Sequence, residues 1–434
     1  MNTQKLKVIW ICHFSDEKVR SRIRFCKPYF KGIFFKLIGR PIRPESDFAV
    51  WISNAVSEFE KFDDIELTVI FPHAAIQGKL QEFSICGVNY KCFRSEDDIL
   101  IPYLFDGLFR KKRSFKRNRL LVKELIEQIA PDIVHVIGAE NPYYSITALD
   151  VPRIIPLVVS LQTLLSDSKF LSNYPISSRK YNYRSDLEVK IIRKSNYIAN
   201  PNQEYNNIIR QAIKPDAVFL NMPLALGQNI FSTKVQKEFD FVYFAANISK
   251  ACDYAIEAFA LVCKQYPKLV LNISGNYTQE YKSMIDCRIQ ELGIADNVIF
   301  TGPKSTHEEV LLQIKKSRFA LIPLKIDLIS GTIREAMACG LPVVTTITPA
   351  TPLLNKNRLS VLLSEKGDFS AMANNMLQLI ENEEYATQIS DNAIMTLQEL
   401  FSNESIMRNW HIAYFEIIEN FKNNKPFSDG ILIK

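Results

Sequence analysis

The residues most able to do chemistry are concentrated between Phe319 and Thr346. The hydrophobic pattern predicts a buried strand, Phe319–Leu324, then a loop that ends in Ser330-Gly331-Thr332. A short helix, Ile333–Cys339, follows this loop, and a second strand begins at Val343. The first N–H groups of a helix have no partner within it and the helix dipole is positive there, so this loop suits a phosphate.

Two carboxylates flank this loop, Asp327 and Glu335. A carboxylate can accept two hydroxyl protons at once, so the pair suits a ligand that carries both a phosphate and sugar hydroxyls. A structural role for Glu335 is the alternative, because Thr332-Ile-Arg-Glu335 fits a capping box in which Thr332 caps the helix. Asp327 could equally be an ordinary loop aspartate.

This segment resembles the nucleotide-sugar signature of retaining glycosyltransferases of the family 4 type. Glu335-Ala-Met-Ala-Cys-Gly-Leu-Pro-Val343 matches the second half of that signature, and Asp327 stands where the family has its first Glu. The N-terminal half resembles glycosyltransferases of bacterial polysaccharide biosynthesis in four stretches. These are Ile11–Ser15, Asp47–Ser53, Pro131–Glu140 and Val158–Gln162.

The resemblance implies a donor site that binds a nucleoside diphosphate sugar. Glu335 would hold the ribose hydroxyls and Asp327 the hydroxyls of the transferred sugar, while Ser330, Gly331 and Thr332 would bind the diphosphate. Gly275 and Gly302 end strands at the same sheet edge, where the backbone could approach the nucleotide, although either could be a plain turn glycine.

Charge that develops on the leaving phosphate must be stabilised, and Lys250 is the predicted cation. It ends the loop after the strand Phe241–Phe244; a surface lysine is the alternative role. The Arg that the family usually has in this loop is absent from Phe244–Ala251, and Lys325 and Arg334 are candidate substitutes.

Polar residues that follow the N-terminal strands are predicted to contact sugars. His135, Glu140 and Gln162 follow strand ends that would face the site, with His135 and Glu140 in catalytic roles and His13 and Gln162 on the acceptor. A core role for His135 remains an alternative. We found no convincing catalytic base, which agrees with the front-face mechanism commonly described for retaining transfer in this fold.

Strand-like and helix-like segments alternate along the chain and predict an α/β protein with mostly parallel sheets. We expect two Rossmann-like domains facing a cleft, the architecture called GT-B. The predicted domains are 1–220, which binds the acceptor, 221–400, which binds the nucleotide sugar, and 401–434, a helix that packs back on the N-terminal domain. The polar stretch from Lys214 to Lys237 is the predicted linker.

Several classes of protein are disfavoured by what the sequence lacks. There is no G-x-G-x-x-G, no P-loop motif and no Asp-x-Asp pair, and the 5 histidines are isolated from one another. We therefore expect no metal and no cofactor. No run approaches the 18 apolar residues of a transmembrane helix, and the 8 cysteines show no CxxC spacing, so a cytoplasmic location is expected.

Basic residues are clustered in two segments. Lys18–Arg43 holds nine Lys or Arg interleaved with five aromatic residues, and Arg110–Arg119 is a second cluster. Such a mixture suits an anionic membrane surface, here the inner face of the plasma membrane. A solvated helix face is the alternative, and nucleic acid is not an expected partner because no nucleic-acid motif accompanies the charge.

Together these features predict a hexosyl-type glycosyltransferase that uses a nucleotide-sugar donor. It would transfer the sugar to a glycan or lipid-linked glycan with retention and without metal. The alternative is a catalytically weak protein that binds a sugar nucleotide or glycan, which the missing Arg and the change to Asp327 motivate.

Overall fold

A computed structural model describes most of the chain in two compact α/β units. The described residues are 5–26, 47–73, 76–95, 115–167, 178–200, 202–225, 233–244, 251–275, 277, 279–325, 331–348 and 350–433. The first unit comprises the described residues within 1–171, 176–224 and 406–434, and the second those within 225–405. Residues 27–43 and 110–114 of the two basic clusters lie outside the described residues.

The first unit is built on a sheet whose strands are mostly parallel. Numbered along the chain, its strands are β1 (Leu6–Ile11), β2 (Ile65–Pro72), β3 (Leu80–Ile85), β4 (Val88–Phe93), β5 (Ile133–Ile137), β6 (Leu157–Ser160), β7 (Tyr197–Ala199), β8 (Val218–Leu220) and β15 (Leu432–Ile433). They lie in the order β15-β8-β7-β6-β5-β1-β2-β4-β3. The pairs β3–β4 and β15–β8 are antiparallel, and the other pairs are parallel.

Helices accompany this sheet. They are α1 (Glu17–Arg20), α2 (Val50–Phe59), α3 (Lys116–Ile129), α4 (Pro142–Ser145), α5 (Ser178–Lys194), α6 (Gln203–Ala212), a 3-10 segment (Ile146–Asp150) and, from residue 406 onward, α13 (Asn403–Asn423). The last helix packs on the first strand, since Trp410 contacts Trp10 edge to face with ring centroids 5.5 Å apart. Both indoles are completely buried.

The second unit contains a fully parallel sheet. Its strands are β9 (Phe239–Phe244), β10 (Leu271–Ser274), β11 (Val298–Gly302), β12 (Ser317–Leu321), β13 (Val343–Thr346) and β14 (Leu362–Ser364), in the order β11-β10-β9-β12-β13-β14. Its helices are α7 (Cys252–Cys263), α8 (Gln279–Glu291), α9 (His307–Lys315), α10 (Gly331–Ala338), α11 (Phe369–Glu381) and α12 (Glu383–Leu400), with 3-10 segments at Ala295–Asn297 and Thr351–Asn355.

The side chains of β9 alternate between two hydrophobic clusters, which explains why these strands are apolar on both faces. Phe241 and Tyr243 belong to one hydrophobic cluster, whereas Val242 and Phe244 belong to another. Successive side chains of a strand point to opposite faces, so the two clusters cover both faces of the sheet.

The predicted alternation of strands and helices is present in both units, but several strands were not predicted. The predicted strand Phe241–Phe244 lies within β9, and the strand predicted to begin at Val343 is β13. The stretch from Lys214 to Lys237 is not all linker, because its residues Val218–Leu220 form β8. Three residues are too few to show the two-residue periodicity of a strand. This strand is defined by its pairing with β7 and not by a local sequence pattern. The β3–β4 hairpin was also not predicted.

Candidate active site

The strand order of the second unit creates a crevice between β9 and β12. From β9 the chain continues outward to β10 and β11, then returns to β12 on the other side of β9. This is the dinucleotide-fold order 3-2-1-4-5-6, and ligands bind beyond the carboxyl ends of the strands where the order reverses. Strands β9 and β12 are neighbours in the sheet, and the sequence placed Lys250, Asp327 and Ser330 after them.

Helix α10 begins at this crevice with Gly331, so Thr332 is its second residue. A residue within the helix is not its N-cap, and Glu335 then lies beyond the third helical position that a capping box requires. The capping-box alternative for Thr332 and Glu335 is therefore not borne out. Of the other predicted donor residues, Lys250, Asp327 and Ser330 lie outside the described residues.

Glu335 and His307 lie side by side near the start of α10. Glu335 Oε1 is 3.7 Å from His307 Nε2, and their side chains retain 18% and 16% of their accessible surface. His307 is the first residue of α9, whose N-terminus is fixed by a capping box between Thr306 and Glu309. The carboxylate of Glu335 therefore lies beside an imidazole and remains partly open to a ligand. The sequence did not single out His307 as a site residue.

The two candidate substitutes for the missing Arg have different surroundings. Lys325 Nζ lies 2.6 Å from Asp253 Oδ2, an ion pair that joins the segment after β12 to the first turn of α7. Arg334 is only 2% exposed, and its guanidinium lies 4.9 Å from the Phe401 ring centroid. A cation stacked in the core does not face a phosphate, so Arg334 is the wrong candidate and Lys325 remains.

The predicted glycines Gly275 and Gly302 lie together at the carboxyl ends of β10 and β11. Gly275 donates its N–H to the carbonyl of Gly302 at 3.3 Å, and the Ser274 hydroxyl donates to the same carbonyl. Gly302 has a φ of 67°, a left-handed conformation that side chains disfavour. This backbone geometry explains Gly302 as a turn glycine and leaves its contact with a nucleotide a prediction.

The first unit has its own crevice where the strand order reverses, between β1 and β5. His13, which follows β1, is hydrogen-bonded through Nδ1 to the hydroxyl of Tyr143, which follows β5. Phe48 packs edge to face on the imidazole with centroids 4.6 Å apart. Burial lowers the pKa of His13 to about 4, with His73 adding to the effect, so the imidazole is neutral at pH 7.

Glu140 lies at the same end of β5 in a confined position. A Cβ at Gly138 would clash with the Tyr144 hydroxyl and come within 2.9 Å of both carboxylate oxygens of Glu140. Only glycine allows this approach, with its φ of 94°. Burial raises the pKa of Glu140, and the nearby Arg184 partly opposes this. Gly138 lies in the Pro131–Glu140 stretch that the sequence analysis singled out. Its close approach to Glu140 was not predicted there, because it depends on three-dimensional contacts.

His135 is part of the core. Its Nδ1 lies 2.6 Å from the Tyr414 hydroxyl and its Nε2 lies 2.7 Å from the Ser160 hydroxyl. The ring is completely buried, and burial lowers its pKa to about 3. Both ring nitrogens are occupied away from solvent, so the structure supports the core role that the sequence left open and not the catalytic one.

Gln162 follows β6, next to β5 in the sheet, and is partly buried. His13, Glu140 and Gln162 therefore follow β1, β5 and β6 at the carboxyl edge of one sheet. Among the residues that the structure describes, no group of three or more His, Cys, Asp or Glu could hold a metal ion. None of the helices in the described ranges is long and apolar enough to span a bilayer.

Residues 228–395 match a family model described as glycosyl transferases group 1. This range includes α10, Glu335 and both sides of the β9–β12 crevice. Among curated proteins, N-acetyl-alpha-D-glucosaminyl L-malate synthase of Bacillus anthracis is 25% identical over 170 residues, which are 39% of this chain and 43% of that protein. The chain spans about half the length, or less, of the curated relatives it matches.

Solved structures resemble this chain over most of its length. Sucrose-phosphate synthase of Thermosynechococcus elongatus has a TM-score of 0.65 and 15% identity, with 96% of this chain and 99% of that chain covered. HepE of Anabaena, solved with UDP and glucose, has a TM-score of 0.63 and 14% identity, with 95% and 100% covered. The two units thus have the GT-B fold of these proteins, and residues 228–395 resemble the glycosyl transferases group 1 family.

Proposed function

We propose that this protein is a glycosyltransferase that uses a nucleoside diphosphate sugar and transfers a hexosyl-type sugar to a glycan or lipid-linked glycan. The observation that carries this proposal is the geometry of the second unit. A helix begins at the crevice between β9 and β12, and a partly exposed carboxylate, Glu335, lies one turn into it. This combination lies within the glycosyl transferases group 1 match.

The donor would bind with its diphosphate at the start of α10, where the N–H groups of Gly331 and Thr332 and the helix dipole favour an anion. Glu335 would accept the ribose hydroxyls. Lys325, at the opposite side of this crevice, would add positive charge near the diphosphate, and Asp253 holds its ammonium group in place. Lys250 and Asp327 keep the roles that the sequence predicted, on the leaving phosphate and the transferred sugar.

The acceptor would bind the first unit at the carboxyl ends of β1, β5 and β6. The groups there are a neutral imidazole, His13, the carboxyl group of Glu140 and the amide of Gln162. Such groups hydrogen-bond hydroxyls without attracting an anion. They favour a sugar as acceptor, in agreement with the predicted glycan or lipid-linked glycan.

Transfer with retention and without metal completes the proposal. The chain has no Asp-x-Asp pair with which metal-dependent transferases hold their diphosphate. Helix N–H groups and lysine ammonium groups would stabilise the leaving phosphate instead. In a front-face reaction this phosphate accepts the acceptor's proton, so no protein base is needed.

The proposal is tested by release of nucleoside diphosphate from a panel of UDP- and GDP-sugars, with and without added glycan acceptors. The panel begins with UDP-glucose and UDP-N-acetylglucosamine. We expect turnover of one donor that is stimulated by an acceptor and unchanged by EDTA. Loss of turnover in EDTA with recovery in Mn²⁺ would contradict metal independence, and an inverted product anomer in the NMR spectrum would contradict retention.

A binding protein with little catalysis is the second candidate. It is favoured by the missing Arg between Phe244 and Ala251 and by the position of Arg334, which is stacked in the core. Calorimetric binding of a sugar nucleotide with no turnover under the same conditions would support this candidate and exclude the first.

A further inference from the structure

One face of α5 contacts two loops that follow neighbouring strands of the first unit. Tyr181, Arg184 and Glu188 are spaced by three and four residues, so they lie along the same side of the helix. Strands β5 and β6 are paired in parallel, and their carboxyl ends lead into the loops that carry Glu140 and Gln162. The helix therefore faces both loops with three polar side chains.

Glu188 connects α5 to the loop after β6. Its carboxylate accepts the backbone N–H of Leu165 at 3.0 Å and that of Ser166 at 2.9 Å. The side chain is completely buried. Hydrogen bonds to an ionised group in such surroundings are among the strong ones in proteins. Both carboxylate oxygens are used, so the loop is held in one orientation.

Tyr181 connects α5 to the same loop by donating to backbone carbonyl groups, whereas Glu188 accepts from backbone N–H groups. Its hydroxyl lies at the carbonyl of Leu165 and 3.3 Å from that of Asp167. The loop is thus fixed from its N–H groups and from its carbonyl groups by one helix. Gln162 lies three residues before Leu165, so its position depends on this attachment.

Arg184 connects α5 to the loop after β5. Its Nε donates to the carbonyl of Glu140 at 2.5 Å, and its Nη2 donates to Asn141 Oδ1 at 3.3 Å. Arg184 and Glu188 therefore place both predicted acceptor loops on a single rigid element. A movement of α5 would shift Glu140 and Gln162 together.

The contribution of Glu188 to stability depends on pH. Burial raises its pKa from the ordinary 4.5 to about 7, and the negative charge of Glu140 adds to this while the two backbone N–H groups oppose it. The folded protein thus binds this proton more tightly than the unfolded chain, so the group lowers stability as pH rises from about 4.5 to 7. The positive charge of Arg184 acts on Glu140. On the adjacent 3-10 segment, Asp150 is paired with Arg119.

We propose that Glu188 is a positioning residue that fixes the loop after β6, and Gln162 within it, for acceptor binding. The role in catalysis rests on the proposed function, whereas the attachment of the loop does not. Glu188 does not touch substrate; it acts through the backbone of Leu165 and Ser166.

The test compares Glu188→Gln with Asp186→Asn, an exposed acid-to-amide change on the same helix. An amide offers one acceptor oxygen, so one of the two N–H groups loses its partner. We expect amide hydrogen exchange at Leu165 and Ser166 to become about ten- to hundredfold faster, with no change in β9. Tyr181→Phe, a milder variant, should accelerate exchange in the same loop by a smaller factor.

Turnover provides the second readout. With the best donor of the panel, Glu188→Gln should release nucleoside diphosphate at least fivefold more slowly per folded molecule and bind UDP as the wild type does. Asp186→Asn should match the wild type in both. Unchanged exchange at Leu165 and Ser166, or faster exchange with normal turnover, would overturn the proposal. If the wild-type protein turns over no donor, the proposed function fails, and exchange alone decides whether Glu188 fixes the loop.

Discussion

Four side chains of the first unit form a continuous hydrogen-bonded series in the core. Trp10 Nε1 donates to the Tyr414 hydroxyl at 2.7 Å, and this hydroxyl is also 2.6 Å from His135 Nδ1. In the tautomer that gives the Tyr414 proton an acceptor, this hydroxyl donates to Nδ1, and Nε2–H of His135 donates to the Ser160 hydroxyl. The imidazole is therefore neutral in the folded protein.

This neutrality predicts a pH dependence of stability. Burial lowers the pKa of His135 from 6.5 to about 3, so the unfolded chain binds a proton that the folded protein does not. Stability is therefore lost as pH falls from about 6.5 toward 3, by about 1.4 kcal/mol per pH unit. His135→Gln should remove this contribution and flatten the dependence.

The measurement is urea unfolding at pH 7, 6 and 5, followed by tryptophan fluorescence. The 3 tryptophans, Trp10, Trp51 and Trp410, all belong to the first unit, so their signal reports its unfolding. The same slope in wild type and variant would mean that His135 is protonated inside the folded protein, against the hydrogen-bond assignment above.

At the scale of elements, α13 is fixed to the first unit by its aromatic residues. Trp410 is completely buried, donates its indole N–H to the carbonyl of Pro223 at 2.9 Å, and contacts the rings of His135 and Tyr414. Ile412, two residues away, is 39% exposed. The helix thus has a core face and a solvent face.

Truncation at these two positions should have different effects. Trp410→Ala removes a large buried ring and should lower the free energy of unfolding of the first unit by about 3–5 kcal/mol. Ile412→Ala should change it by less than about 0.5 kcal/mol. Urea unfolding followed by the remaining tryptophans measures both. Similar losses for the two variants would show that α13 does not pack on the unit through Trp410.

Local signals predicted the elements well where a segment is long or strongly patterned. The apolar runs of β1, β5 and β9 and the periodicity of α3 and α13 are visible in the chain. The β3–β4 hairpin was missed because no residue of β3 is fully buried, and its turn uses Cys86 and Gly87, both with positive φ. A positive φ at a residue other than glycine cannot be predicted from the residue type.

At the scale of the whole molecule, the sequence identified the two units and the segment that begins α10. It could not give contacts between residues far apart in the chain. The His13–Tyr143 hydrogen bond and the Glu335–His307 approach join elements separated in sequence, and the stacking of Arg334 on Phe401 removed a predicted cation. Each of these contacts depends on strand order and packing, which cannot be read from a single sequence.

Attachment to a membrane remains a prediction about the whole protein. Lys18–Arg43 carries nine basic and five aromatic residues, and each basic group near an anionic surface contributes about 1 kcal/mol. We expect co-sedimentation with phosphatidylglycerol vesicles that weakens as salt is raised. Equal binding to neutral and anionic vesicles, or none to either, would contradict this prediction.

The central claim, that a nucleoside diphosphate binds at the start of α10 with Glu335 on its ribose, is tested by the affinity for UDP. Calorimetry should compare the wild type with Glu335→Ala and with Glu308→Ala, an exposed glutamate beside His307 on α9. We expect the wild type and Glu308→Ala to bind alike, and Glu335→Ala to bind about ten- to hundredfold more weakly at an unchanged melting temperature. Equal affinity of all three proteins, or a lower melting temperature of Glu335→Ala with its affinity intact, would contradict the account.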